Sequence, residues 1–318
     1  MRPTGALHLG NLHGALQNWI NMQETYDCYF FIADWHALTS DYEDPGNIEN
    51  YTRNMMIDWL AAGLSPEKCV LFVQSRVREH AELFLLLSMI TPVPWLERNP
   101  TYKEQIDQLE TRDLSTFGFL GYPVLQAADI IIYKADGVPV GVDQAPHIEL
   151  TREIARRFNH LYGRVFPEPD TLLTETSKIL GIDRRKMSKS YNNAIFLSDP
   201  PETIRKKVAR MITDPQRIRR TDPGDPSVCN VFTFHGFYSP PDLVAEIDSA
   251  CRNAGIGCVE CKKKMAEHLI AFLVPIRERI EYYSTHTDQV DQIMAAGSDR
   301  ARQVAARTLA EVRGAIKI

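Results

Sequence analysis

Cys28 to Ala33 reads CYFFIA, and Val70 to Gln74 reads VLFVQ. Both are unbroken apolar runs of strand length, so each is expected to be a strand buried on both faces. Between them, Ile48 to Ala62 carries apolar residues at helical spacing. Buried strands separated by helices predict an α/β fold with a parallel, doubly wound sheet. Working outward, Gly10 to Glu24 and His80 to about Ile90 read as helices, as do Val124 to Tyr133 and His147 to Asn159, with a short strand at Val138 to Val140. Pro92, Pro94 and Pro100 break the pattern with an insertion that ends near Gly121. Beyond Ser190 the strand signal stops. Pro200, Pro201, Pro223, Pro226, Pro240 and Pro241 punctuate helical segments, and Asp288 to Ile318 is an amphipathic helix. The expected division is an α/β domain at 1–190, an all-helical domain at 191–287, and a last helix at 288–318 that returns toward the first domain.

Composition fits a globular enzyme. At 318 residues the chain has room for two domains, and 44% hydrophobic with 24% charged residues is ordinary. A net charge of −5 and a pI near 6.0 do not advertise a nucleic-acid partner, and DNA is not expected. Any RNA contact must use local basic patches. The candidates are Arg205 to Lys207, then Arg217, Arg219 and Arg220, and finally Lys262 to Lys264, the last being the best case for a merely solvated face. No run of 18 apolar residues and no secretory signal is present, so the cytoplasm is the expected location.

Two short strings carry chemistry: HLGN at His8 to Asn11 and KMSKS at Lys186 to Ser190. Each alone is weak. His8 and Asn11 are three apart where a helix begins, which places both on one face of its first turn. The free N–H groups and dipole of that turn favour an anion, and Gly10 leaves room for a flat ring against the backbone. In this order, flanking an α/β region, the strings resemble the HIGH and KMSKS signatures of class I aminoacyl-tRNA synthetases. The resemblance implies an ATP site built from Arg2, Thr4, His8, Gly10, Asn11, Lys186, Met187, Ser188 and Lys189. Asn11 stands where the family has its second His, which loses a possible cation but keeps a donor. Lys186 and Lys189 are expected on the β- and γ-phosphates, and the loop is expected to close on ATP and open for pyrophosphate.

Longer strings narrow the resemblance. RPTGALHLGNLHGALQNW (Arg2 to Trp19), ADWHALT (Ala33 to Thr39), LERNPTYKEQ (Leu96 to Gln105), YPVLQAADIIIY (Tyr122 to Tyr133) and VPVGVDQAPHIELTREIARRFN (Val138 to Asn159) are similar, in order, to the bacterial tryptophanyl-tRNA synthetases. Tyr122, Gln126 and Asp129 fall at i, i+4 and i+7, on one helical face. By resemblance that face lines the amino-acid pocket. Asp129 accepts the indole N–H, while Tyr122, Gln126 and Gln144 hold the amino and carboxylate end. Val138 and Val140 pack on the ring with His36 nearby, and Gly141 and Asp143 meet the ribose. Val142 departs from the acidic residue common at its position. A buried carboxylate rejects a ring without a donor, which excludes phenylalanine but leaves tyrosine open. The flanking strings choose tryptophan.

Six cysteines add a separate pattern. Cys28 and Cys69 read as core thiols. Cys229, Cys251, Cys258 and Cys261, with 21, 6 and 2 residues between them, include a Cys-x-x-Cys metal spacing. A subset of tryptophanyl-tRNA synthetases resembles this quartet, with a first spacer one residue longer, and holds a [4Fe–4S] cluster. Zn²⁺ is the rival and free thiols a third possibility.

The expected protein is thus a Rossmann-like catalytic domain with a helical tRNA-reading domain. It activates L-tryptophan with Mg²⁺-ATP and charges tRNA(Trp), and the resemblance implies a homodimer. A tyrosyl-tRNA synthetase, a non-catalytic RNA-binding paralogue and a small-molecule nucleotidyltransferase are the alternatives. Family members carry a short strand ahead of the segment that begins here at Met1, so the natural start is expected to lie a few residues upstream.

Overall fold

The structure, a computed structural model, describes residues 1–100, 115–173 and 179–318. The first helical run, α1, comprises Leu9–Asn11, a π-helical turn at Leu12–Leu16, and Gln17–Met22. Strand β1 (Cys28–Ile32) leads through α2 (Asp34–Asp41) and α3 (Ile48–Ala62) to β2 (Cys69–Val73), which pairs with it in parallel, Cys28 opposite Cys69 and Ile32 opposite Val73. Then come α4 (Glu79–Ser88), α5 (Val93–Glu97) and α6 (Phe117–Ile131). A second parallel pair follows, β3 (Gly137–Val140) with β4 (Asp170–Leu173), joined through α7 (Ala145–Tyr162).

The remainder of the described chain is helical: α8 (Pro201–Ala209), α9 (Asn230–Tyr238), α10 (Pro241–Arg252), α11 (Cys258–Thr285) and α12 (Thr287–Ile316). Two isolated bridges, His8 with Phe196 and Leu180 with Lys186, are the other strand-like pairings there.

The β1–β2 pair explains the double winding. Side chains of successive strand residues point to opposite faces. Cys28, Phe30, Ile32, Leu71 and Val73 bury into one cluster with Leu9 and Leu16 of α1, Trp59 of α3 and Leu269 of α11. Val70 and Phe72 bury into the other, with Val124 of α6 and Ile154 and Phe158 of α7. Helix α12 serves both, through Val290 and Met294 on one side and Ala301, Ala305 and Leu309 on the other. At Gly297 it lies so close to the Leu71 carbonyl that no β-carbon fits. This covers the edge of β2, which would otherwise offer unpaired backbone groups. Beside β1, the Met1 amine donates to the Phe31 carbonyl at 2.8 Å and the Ala33 N–H donates to the Met1 carbonyl at 2.8 Å.

Three expectations need correction. Helix α6 begins seven residues before Val124, because Thr116 caps it by accepting the Phe119 N–H at 3.2 Å and Pro123 is carried inside it. The insertion expected to run to Gly121 therefore ends earlier; its residues 101–114 lie outside the described residues. Strand β4 was not expected, since Asp170 to Leu173 shows neither alternation nor full burial. Gln74 is not in the strand that precedes it but opens a 3-10 turn, Gln74–Arg76, and this aims its side chain at Asp129.

Candidate active site

The two signature strings meet. The extended residue His8 caps α1, and its N–H donates to Asn11 Oδ1 at 3.0 Å. Asn11 thus folds back to cap the helix rather than pointing outward beside His8. The Gly10 N–H reaches Met187 Sδ at 3.4 Å, and Met187 is itself buried in the core. A β-carbon on Gly10 would sit 2.9 Å from the His8 ring and 3.3 Å from Met187 Cβ, so glycine is required by this approach. Lys189 Nζ donates to the Thr4 carbonyl at 3.0 Å, which seats the KMSKS segment against the amino-terminal segment. Lys186 and Ser190 are exposed and Ser188 is half-buried. Arg2 reaches Ser40 Oγ at 3.4 Å.

Electrostatics at this junction are set by burial. His8 is pushed down to about 4 by burial and then by the Lys189 charge, so it is neutral near pH 7, and its buried Nδ1 has no partner among the described residues. Asp58 is pushed up to about 6 by burial, against the Leu7 N–H that it accepts at 2.9 Å and the Lys189 charge. Lys189 is lowered by burial and supported by Asp58.

Behind KMSKS lies a residue that no motif suggested. Asn193, 1% exposed, accepts the Ser188 N–H at 2.8 Å and donates to the Lys186 carbonyl at 3.1 Å and to Asp183 Oδ1 at 2.8 Å. Its side chain fills the place where a β-carbon of Gly181 would be, and Asn230 donates to the Gly181 carbonyl at 2.9 Å. A signal existed in the paired Asn192 and Asn193 just after the motif.

The second group centres on Asp129, 2% exposed on α6. Its Oδ1 accepts from His80 Nδ1 at 2.6 Å and Gln74 Nε2 at 2.8 Å, and its Oδ2 accepts from His36 Nε2 at 2.7 Å and Gln74 Nε2 at 2.9 Å. Burial pushes this carboxyl up, but the bonds from His36 and His80 outweigh it and hold the group at about 2. Tyr122, on the same face of α6, shares a hydrogen bond of 3.1 Å with His147 Nε2, and Asn99 holds the other ring nitrogen at 3.1 Å. Gln126 is half-buried, and no hydrogen bond joins it to another described residue.

Val138 and Val140 are half-buried on β3. Gln144 donates to Asp143 Oδ2 at 2.9 Å, and Val142 is 74% exposed. The structure therefore brings His36, Tyr122 and Asp129 into one set with Gln74, His80 and His147. Burial and then the His36 charge lower His147 to about 4, and Asp143, in the turn after β3, raises it, which couples that turn to the set.

The cysteine quartet forms a third group. Burial raises the thiols of Cys229 and Cys251 and pushes Cys261 up to about 12, and the charges of neighbouring quartet thiols, Cys258 among them, raise each further. Arg217 Nη1 lies 3.7 Å from Cys251 Sγ, and His235 Nε2 lies 3.5 Å from Cys261 Sγ. A cavity of about 490 Å³ opens beside Cys258, lined also by Arg217, Arg219, Arg220 and Lys263. Among the described residues, no three His, Cys, Asp or Glu side chains gather closely enough to hold a single metal ion.

A parallel α/β unit with one seated signature pair is the architecture of a class I synthetase, and residues 1–274 match the family of tRNA synthetases class I (W and Y). The chain belongs to that family. Its full-length likeness is to tryptophan–tRNA ligases: that of Thermotoga maritima is 51% identical, with 100% of this chain and 98% of the relative covered. That of Aquifex aeolicus is 46% identical over the same shares of each chain. Among solved structures, a tryptophanyl-tRNA synthetase from Campylobacter jejuni complexed with ADP and tryptophan superposes with a TM-score of 0.93 at 30% identity, covering 100% of this chain and 98% of that one.

Proposed function

We propose that the seated signature pair and the Asp129 pocket are the two halves of one active site, which joins L-tryptophan to ATP and then to tRNA(Trp). The chain is a tryptophan–tRNA ligase. The observation that carries the site assignment is the docking of KMSKS on the amino-terminal segment, Met187 at Gly10 of HLGN and Lys189 at Thr4. In the first step the tryptophan carboxylate attacks the α-phosphorus, a mixed anhydride forms, and the bond to the β-phosphate breaks. Charge builds on the departing pyrophosphate, where Lys186 and Lys189 stabilise it; preorganised charge of this kind is usually the largest catalytic contribution. Mg²⁺ enters with ATP and neutralises phosphate charge. His8, neutral, and the amide of Asn11 donate to phosphate oxygens, Gly10 gives the adenine access to the backbone, and Arg2, Thr4, Gly141 and Asp143 complete the nucleotide site. Asp129 takes the indole N–H between Val138, Val140 and His36, while Tyr122, Gln126 and Gln144 hold the amino-acid end.

The division at 190 and 287 assigns the tRNA contact to the helical part, where the basic cavity at Arg217, Arg219 and Arg220 supports it. At the quartet, a [4Fe–4S] cluster is the reading favoured. The likeness of the quartet's spacing to that of cluster-holding relatives supports it, and the charge of Cys258 raises each of the other three thiols, with zinc the rival. Cys229, Cys251, Cys258 and Cys261 would hold the cluster and anchor α9, α10 and α11 to one another. A homodimer fits the exposed Leu85, Met89 and Val93 at the end of α4 and the start of α5. No helix among the described residues is long and apolar enough to cross a membrane, in keeping with a cytoplasmic enzyme. The test is charging of unfractionated bacterial tRNA. Tryptophan should reach a plateau that transcribed tRNA(Trp) alone reproduces, and charging with tyrosine instead would overturn the assignment.

A further inference from the structure

A carboxylate has about four acceptor positions, and in Asp129 all four are filled: two by Gln74, one by His80 and one by His36. An incoming ring N–H must therefore displace a donor. Gln74 and His80 are fully enclosed, while the His36 side chain keeps 12% of its surface. His36 is the donor that can leave. What stays behind then decides what Asp129 can bind. Because a carboxylate only accepts, His80 Nδ1 carries its proton, and Nε2 shares a hydrogen bond with Tyr133 Oη at 2.6 Å. Phe31 and Phe72 pack edge-on against the same imidazole at 6.0 and 6.1 Å.

We infer that His80, oriented by Tyr133, is a positioning residue that fixes Asp129 as a permanently ionised acceptor and so imposes the requirement for a donor on the substrate ring. This rests on the assignment of the Asp129 pocket to tryptophan. His36 acts as the exchangeable stand-in, occupying the position that the indole N–H takes over. Without the His80 bond, burial would raise the Asp129 carboxyl and favour its protonated form as pH falls. A neutral acid there would turn its own O–H outward, and an indole N–H would lose its acceptor. The groups facing Asp129 are His36 from α2, His80 from α4 with Tyr133 behind it, Gln74 from the turn after β2, and the Met1 amine, which senses its charge.

The test is tryptophan-dependent ATP–pyrophosphate exchange by the full chain between pH 5 and 8, reported as the ratio of variant to wild type so that shared titrations cancel. In His80→Leu the KM ratio for tryptophan should rise tenfold or more as pH falls, with the kcat ratio flat. His80→Asn restores a donor near the Nδ1 position and should return the KM ratio to a pH-independent value. Tyr133→Phe leaves the imidazole in place but unanchored, and should show the same pH trend at smaller amplitude. This variant also decides the matter if His80→Leu fails to fold. A pH-independent KM ratio in both His80→Leu and Tyr133→Phe, or a loss confined to kcat, would overturn the inference while leaving the tryptophan assignment intact. No exchange with tryptophan by the wild type would remove that assignment and this inference with it.

Discussion

Lys189 holds its ammonium on the Thr4 carbonyl and within the field of Asp58, and in the proposed site it meets the departing pyrophosphate. Its interaction grows as charge develops on the leaving group, so Lys189→Ala should slow activation by about 10²–10³-fold with tryptophan affinity nearly unchanged. Single-turnover adenylate formation alongside equilibrium tryptophan binding separates the two; equal losses would refute the role. Asp58 gives a stability prediction of definite sign. It is held protonated to about pH 6 by burial, against 3.8 as its ordinary value, so the fold binds a proton more tightly than the unfolded chain. That contribution is fully present below pH 3.8 and is lost as pH rises toward 6. Asp58→Asn, which still accepts the Leu7 N–H, should remove this fall, on the order of 3 kcal/mol, from denaturant midpoints followed between pH 4 and 7.

At the scale of elements, the KMSKS segment keeps its shape through Asn193, whose amide replaces a strand partner for Ser188 and Lys186. Asn193→Ala leaves those groups unpaired and should cost about 1–3 kcal/mol and lower kcat for activation more than it raises KM for tryptophan. Unchanged kcat would show that the segment holds its form without it. Legibility followed the same physics. The strands around Phe30 and Leu71 and helix α3 could be read because their burial is continuous or periodic in sequence, and so could the helical face shared by Tyr122 and Asp129. Asn193, Gln74, His80 and His147 could not. Their meaning lies in contacts across long stretches of chain, such as His80 to Asp129, and a lone polar residue in sequence does not say which buried group it satisfies. Strand β4 escaped for a simpler reason: two exposed and two half-buried residues carry no pattern. The start of α6 fell inside the stretch expected to be an insertion, because the Thr116 cap that opens it carries no pattern of its own.

Across the whole molecule, one sheet pair organises two cores, and α12 clamps them where Gly297 meets Leu71. A side chain there collides with backbone, which cannot move aside as a flexible side chain would. Gly297→Ala should destabilise the protein by about 1–3 kcal/mol or more, visible as a lowered Tm. The cysteine quartet makes its prediction at the same scale. Protein purified without oxygen should contain about four irons per chain and a broad charge-transfer band, and Cys258→Ser should lower Tm far more than it slows activation. Zinc without iron in elemental analysis would contradict the cluster.

The most direct test of the central claim is ATP–pyrophosphate exchange by the purified chain with each of the twenty amino acids in turn. The ionised Asp129 predicts strong exchange with tryptophan and none above background with phenylalanine, and the fit of the indole between Val138 and Val140 predicts far weaker exchange with tyrosine. Exchange with tyrosine equal to that with tryptophan would contradict it.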